Sequence, residues 1–423
     1  MPRTSWILAA IVAFGMVAGL ARLITTPPSM GGDQTNTWWT ASLHLANGDG
    51  FVDCLPIYFP FCGPGNEATA MREPVPVCLF ALVAALHGTL WTAGLVQLLL
   101  YLLTTLAVFR LAREVADERT GLIACALWVV YIPALTVLPQ IAGDMIASLA
   151  ATTGLYLYAK AWNTGGTLRW GLAGACMAVA VLSRSALLVA AVPLGIALVW
   201  HTWKPGVPLA GVLRPVLVFS LAWCLVMLPW VARNTMVFGQ VVVGSTLTGY
   251  NILRHNHQVQ EDVPFHYVNE EEARPVAYAA LARHPELTGH ENEAQVDRVY
   301  KQEGMSVINA HKARYIGICM FRFLPLWFNW GVNSAYGKPI EPTDFLVALQ
   351  QAVLLLLALA GLRRAPRSAW PLVMGSLAVC LAYMAVVARL RYVIPVMPVV
   401  LLLGAVALSR MVERRTLWSR SVG

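Results

Sequence analysis

Charge is what this sequence has least of. Of its 423 residues, 30 are Lys or Arg and 22 are Asp or Glu, about half the ~25% charged share of soluble domains. With 58% hydrophobic residues and a mean hydropathy of +0.61, a water-soluble globule is excluded. Zinc spacings of the Cys-x2-Cys or His-x3-His kind are missing. His255-Asn256-His257 lacks a third ligand and reads as a solvent-exposed polar turn, so no metal or other cofactor is expected.

What the chain does have is repeated apolar stretches of about twenty residues, the length that crosses roughly 30 Å of hydrocarbon. Bounded by charge or by Gly/Pro clusters, they fall at roughly 6 to 24, 91 to 109, 121 to 138, 145 to 159, 170 to 183, 186 to 203, 215 to 232, 344 to 362, 370 to 388 and 392 to 409. The pattern predicts an all-α polytopic membrane protein with about ten transmembrane helices. Pro74 to His87 is shorter and opens with two prolines, which suits a re-entrant or juxtamembrane helix.

With a cytoplasmic N-terminus and an uncleaved first span, the basic residues of the short loops all fall inside. They include Arg110, Arg113, Arg119, Lys160, Arg169, Lys204, Arg214, Arg363, Arg364, Arg367 and Arg410, as the positive-inside rule requires. The net charge of +8 is therefore a topology signal, and no nucleic-acid partner is implied. All acidic residues except Glu114, Asp117, Glu118 and Glu413 lie on the outer side. Three regions follow: a transmembrane core at 1–233, with a first outer loop at 25–73 and the short helix at 74–87; an extracytoplasmic loop domain at 234–343; and C-terminal transmembrane helices with a basic cytoplasmic tail at 344–423. Cys54 and Cys62 are the cysteines well outside the spans, and an oxidising compartment permits a disulfide between them. Two free thiols packed against the membrane surface are the alternative.

Ionisable groups near a bilayer pair, snorkel or work. At the outer span ends and in the first loop these are Asp33, Arg72, Glu73, Asp144, Arg184, Arg233, Arg389 and Arg391. Guanidiniums gathered at one surface suit phosphate or pyrophosphate, through paired N–H donors; headgroup snorkelling is the plain alternative. Arg184 stands out because it interrupts an otherwise apolar run. A carboxylate at Asp33 suits a general base acting on an acceptor hydroxyl, or equally an N-cap. Asp144 reads as a second carboxylate of the site or as a helix-dipole partner.

Several stretches in order resemble one family. Asp33, Ala41 and Leu45-Ala46-Asn47-Gly48-Asp49-Gly50-Phe51 are similar to the first outer loop of bacterial GT-C-type membrane glycosyltransferases, the protein mannosyltransferase-like and aminoarabinose transferase-like enzymes. Arg72-Glu73-Pro74-Val75-Pro76, the Gly174 to Arg184 span, Pro229-Trp230-Val231-Ala232-Arg233-Asn234 and Arg391-Tyr392-Val393-Ile394-Pro395-Val396-Met397-Pro398 resemble further family motifs. The chain departs from many relatives at Gln34, where they carry a second acidic residue.

The resemblance implies a GT-C-like fold, with juxtamembrane helices and a partly helical extracytoplasmic loop domain. It also implies an enzyme that moves sugar from a polyprenyl-phosphate donor to a glycan, lipid or protein acceptor on the outer face of a bacterial inner membrane, without a metal. By carry-over, Asp33 is the base and Asp144 orients acceptor or base. Arg72 binds donor phosphate, and Arg184, Arg233 and Arg391 are further phosphate-side or scaffold groups. The absence of a glycine-rich phosphate loop agrees with a lipid-linked donor. An O-antigen ligase or polymerase, which uses a pyrophosphate-linked donor, and a lipid-linked sugar transporter or flippase are the rival classes.

Overall fold

The computed structural model describes residues 2–30, 33–62, 67–203, 205–206 and 208–422; the side chains of Pro2, Arg3, Asp33, Gln34 and 413–422 lie outside the description. Among the described residues the chain forms nineteen α-helices. The first ten are α1 Pro2–Thr25, α2 Asp33–Asn47, α3 Pro74–Ala85, α4 Leu90–Val115, α5 Glu118–Val129, α6 Ile132–Thr136, α7 Asp144–Thr164, α8 Thr167–Val181, α9 Ala191–Thr202 and α10 Leu209–Phe238. The loop domain contains α11 Thr248–Asn256, α12 Glu270–Ala282, α13 Glu293–Ala310, α14 Lys312–Phe321, α15 Phe323–Phe328 and α16 Val332–Ala335. The chain closes with α17 Pro342–Leu362, α18 Trp370–Val386 and α19 Met397–Val422.

Among the described residues, six segments are long and apolar enough to cross a membrane: Thr4–Thr25, Leu90–Val115, Ser185–Thr202, Leu209–Phe238, Pro342–Leu362 and Arg367–Val386. The other expected spans fall on helices of a different kind. The stretch 121 to 138 is divided, because α5 stops at Val129 and a new turn begins at Ile132 with Pro133 behind it. Helix α8 and the apolar part of α19 are shorter than a full crossing. The short helix expected at 74–87 spans Pro74–Ala85, with Pro74 in the first helical position, where its missing N–H costs nothing.

Packing follows the apolar pattern. Helix α8 lies between α7 and α10, so close that a Cβ on Gly174 would stand 2.2 Å from the Phe219 carbonyl. On α10, Leu213, Leu217, Leu221 and Leu225 repeat every four residues and are exposed, an unburied apolar stripe that suits contact with lipid. The loop domain builds its own core from Leu253, Val268, Ala280, Val296 and Tyr300, joined by Tyr58, Phe59 and Met71 of the first loop. Arg322 fastens this domain to α18. Its buried guanidinium donates to the Met384 and Ala385 carbonyls at 3.0 Å and to Asn256 Oδ1 at 2.9 Å. The His255-Asn256-His257 turn, expected to be solvated, is buried instead. Burial and the nearby Arg254, Arg322 and Arg389 guanidiniums hold the His255 imidazole well below its ordinary range.

Candidate active site

Three helix ends meet at one point. Helix α8 ends at Val181, and Arg184 is extended before a 3-10 turn at Ser185–Ala190. The N-terminus of α3 is pinned there by the Val75 N–H, which donates to the Leu182 carbonyl at 3.1 Å. Glu73, just ahead of α3, accepts from the Ser185 N–H and hydroxyl, both at 2.8 Å. Gly143, ahead of α7, has room for no side chain, since a Cβ there would lie 2.3 Å from the Ser183 carbonyl. This crossing sets Asp144, the first residue of α7, against Arg184. The Arg184 Nε donates to Asp144 Oδ1 at 2.9 Å, Nη2 donates to the same oxygen, and the pair is buried.

Beside this junction opens a cavity of ≈610 Å³. Its walls come from the first loop (Trp38, Arg72, Glu73), the junction (Arg184, Ser185), the loop domain (Arg254, Tyr267, Glu270, Asp297, Arg298, Lys301), the end of α18 (Tyr383) and the segment after it (Arg389, Arg391, Tyr392). Among the described residues, seven cationic side chains thus face three carboxylates. Two of the cations are paired: Arg184 with Asp144, and Arg254 with Glu270 at 2.7 Å. Three of the others, Arg72, Arg389 and Arg391, lie against neutral groups. Arg72 Nε donates to Thr37 Oγ1 at 3.0 Å and lies 5.7 Å from the Trp38 ring centroid. Arg389 lies over Tyr267 and Tyr336, at 5.3 and 4.9 Å, and Arg391 lies 5.4 Å from the Tyr392 ring. The Nε atoms of Arg389 and Arg391 are buried with no hydrogen-bond partner among the described residues. Guanidiniums lining a cavity are a ready anion site.

Several expected site residues converge here. Arg72, Arg184 and Arg391 line the cavity, whereas Asp144 sits behind Arg184, with Oδ2 buried and unpartnered among the described residues. Arg233 is elsewhere. Its guanidinium donates to the Thr69 carbonyl at 2.7 Å and the Phe51 carbonyl at 2.9 Å, among the rings of Phe51, Trp230 and Phe238; it braces the first loop on α10. The Asp33 side chain lies outside the described residues, although its backbone opens α2 one turn before Thr37. Cys54 and Cys62 are joined in a disulfide. Among the described residues, which exclude the Asp33 side chain, no group of three His, Cys, Asp or Glu residues is placed to hold a metal ion.

Sequence reasoning missed the loop-domain wall. Asp297 lines the cavity and accepts the Tyr250 N–H at 3.1 Å; burial pushes its carboxyl up to about 7, against the opposing pull of the Tyr250 and Gly249 N–H groups and Lys301. Glu293 accepts from Thr69 Oγ1 at 2.6 Å, the Ala70 N–H at 2.9 Å and Thr246 Oγ1 at 2.7 Å. It clamps the first loop to the loop domain. No short motif marks either residue.

Residues 71–230 match the model of the dolichyl-phosphate-mannose-protein mannosyltransferase family. Among solved structures, the archaeal oligosaccharyltransferase AglB from Archaeoglobus fulgidus, in complex with an inhibitory peptide and a dolichol-phosphate, superposes with a TM-score of 0.58 at 15% identity, over 98% of this chain and 51% of that one. The apo form of the Archaeoglobus fulgidus oligosaccharyltransferase gives 0.57 at 13% identity, with 98% and 51% covered. ArnT from Cupriavidus metallidurans, bound to undecaprenyl phosphate, gives 0.40 at 14% identity, covering 96% and 78%. No curated protein matches the sequence. The chain spans about half the length of the oligosaccharyltransferases it resembles. Its fold is GT-C-like. The match to the mannosyltransferase family model runs from the end of the first loop to Trp230 of α10.

Proposed function

We propose that the chain transfers a sugar from a polyprenyl-phosphate donor to an acceptor hydroxyl or similar nucleophile, in the cavity between the membrane core and the loop domain. What carries this reading is the cluster of guanidiniums at Arg72, Arg389 and Arg391, which among the described residues lie against aromatic rings and the Thr37 hydroxyl, with Glu270 the carboxylate whose charge reaches Arg389. Fixed cations aimed where a phosphate leaves stabilise the charge that develops on it. Asp144 serves indirectly, fixing Arg184 in the wall. In the reaction, the acceptor oxygen bonds to the anomeric carbon while the bond from that carbon to the phosphate oxygen breaks. The phosphate keeps the electron pair, and the acceptor proton passes to the base, the role assigned to Asp33. The outer face of a bacterial inner membrane is the proposed location, with both termini cytoplasmic.

The test is transfer from a synthetic polyprenyl-phosphate sugar, with mass spectrometry of co-purifying lipid. Asp33→Asn should lower turnover by roughly 100-fold or more, as loss of a general base does, and leave donor binding intact. Arg391→Gln should deplete the co-purifying polyprenyl phosphate. Unchanged turnover in Asp33→Asn removes that residue from the mechanism, and equal lipid content in wild type and Arg391→Gln removes the phosphate site.

A further inference from the structure

Helix α13 turns one face to the large cavity. Ala294, Asp297, Arg298 and Lys301 recur at helical spacing and line it together, while Val296, Val299 and Tyr300 pack into the loop-domain core. Gly249 of α11 has room for no side chain against the Asp297 carbonyl. Helix α11 therefore lies directly on α13 and holds this face in place.

The ionisable groups of α13 divide by sign. Its acids are engaged. Glu293 clamps the first loop. Asp297 accepts the Tyr250 N–H at 3.1 Å, with the Gly249 N–H beside it, at the start of α11. Glu303 accepts from Arg283 Nε at 2.9 Å and lies 3.1 Å from His284 Nε2. The two bases are not engaged in this way. Among the described residues the Arg298 guanidinium and the Lys301 ammonium make no hydrogen bond and no ion pair, although the Lys301 charge reaches Asp297. Both are exposed, and both line the cavity. The other exposed residues of the helix, Gln295, Gln302, Met305, Ser306, Asn309 and Ala310, are uncharged, so the free cations of α13 are confined to the cavity face. A polyprenyl-phosphate sugar is a phosphodiester with a single negative charge, and Arg72, Arg389 and Arg391 stand on other walls to meet it. Donor binding leaves Arg298 and Lys301 without a task.

We propose that this face of α13 binds an anionic group on the acceptor, a carboxylate or a phosphate, with Arg298 and Lys301 donating to its oxygens. The inference rests on the transfer reaction proposed above and adds the chemical class of the acceptor. A cleft wall carrying one sign of charge also raises the local concentration of a partner of the other sign.

Acetylation of Lys301 by N-hydroxysuccinimidyl acetate tests the face, read by peptide mass spectrometry on the full chain in detergent with undecaprenyl phosphate added. Lys312, exposed at the start of α14, is the internal reference. Glucuronate or glucose 6-phosphate should slow Lys301 relative to Lys312 at concentrations where glucose has no effect, and whichever acts more strongly names the group as carboxylate or phosphate. Arg298→Gln should raise the half-protecting concentration roughly tenfold, as loss of a charged hydrogen bond does, and should leave co-purifying polyprenyl phosphate unchanged. Equal protection by glucose, protection by none of the three, or protection unmoved by Arg298→Gln overturns the proposal. Depletion of the co-purifying lipid in Arg298→Gln would hand these cations to the donor and overturn it as well. Failure of the donor reading shows separately, as equal lipid content in wild type and Arg391→Gln.

Discussion

The buried pair of Asp144 and Arg184 should behave as one unit. Their side chains are 2% and 14% exposed, and the Nε to Oδ1 distance is 2.9 Å. At an effective dielectric constant near 20, opposite charges about 3 Å apart attract by roughly 6 kcal/mol. Desolvation of each ion costs several kcal/mol, so the pair is close to balance while either charge alone is far from it. Asp144→Asn and Arg184→Met should therefore each cost about 3–5 kcal/mol. The double variant should cost at least ~2 kcal/mol less than the sum of the two. Unfolding of the detergent-solubilised protein, followed by tryptophan fluorescence, gives the four corners of the cycle. Donor-lipid affinity, measured alongside, should fall in both single variants, because Asp144 acts through Arg184. A double variant that costs the full sum refutes the coupling. An Asp144→Asn variant that keeps its stability and its donor affinity but loses turnover would move Asp144 into the chemistry itself.

Asp297 makes the loop domain pH-sensitive. A carboxyl lifted in the folded state to about 7 from an ordinary value of 3.8 binds more protons folded than unfolded between those limits. Its contribution to stability therefore falls as pH rises through that window, by about 1.4 kcal/mol for each tenfold drop in proton concentration. Asp297→Asn should be more stable than wild type at pH 8, with the difference shrinking toward pH 5; parallel stability curves across that range would remove the effect. Arg233→Met should raise hydrogen exchange across residues 51–73 while lowering donor affinity less than Arg391→Gln does, and the reverse order would return Arg233 to the phosphate site. Cys54 and Cys62 should resist thiol labelling until reductant is added, and opening their short loop should cost roughly 2–3 kcal/mol; immediate labelling of both would exclude the bridge.

Features encoded over short distances were legible in the sequence. The apolar runs, the proline-led short helix and the arginines at span ends required only local pattern, and Arg72, Arg184 and Arg391 line one cavity. Roles set by distant partners were hidden. Arg233 has the same interfacial context as Arg184, yet its guanidinium meets the Thr69 and Phe51 carbonyls, 164 and 182 residues earlier. Glu293 reads as an ordinary helix-start acid until Thr69, 224 residues away, is placed against it. His255 was misread for a related reason: a polar tripeptide looks solvated until α12, α14 and the segment carrying Arg389 close over it. The break at Tyr131 was visible in Pro133, but hydropathy averages over such a turn.

The Glu293 clamp bears on where the loop domain can be exchanged. A loop domain transplanted from a relative would bring its own residues at the Thr246 and Glu293 positions, but Thr69 and Ala70 belong to the recipient's first loop. The graft boundary therefore cannot follow the membrane surface. Chimeras cut at residues 234 and 343 alone should assemble only where the incoming domain presents a carboxylate at the Glu293 position. Those that exchange the Thr69-Ala70 strip together with the loop should tolerate more distant donors.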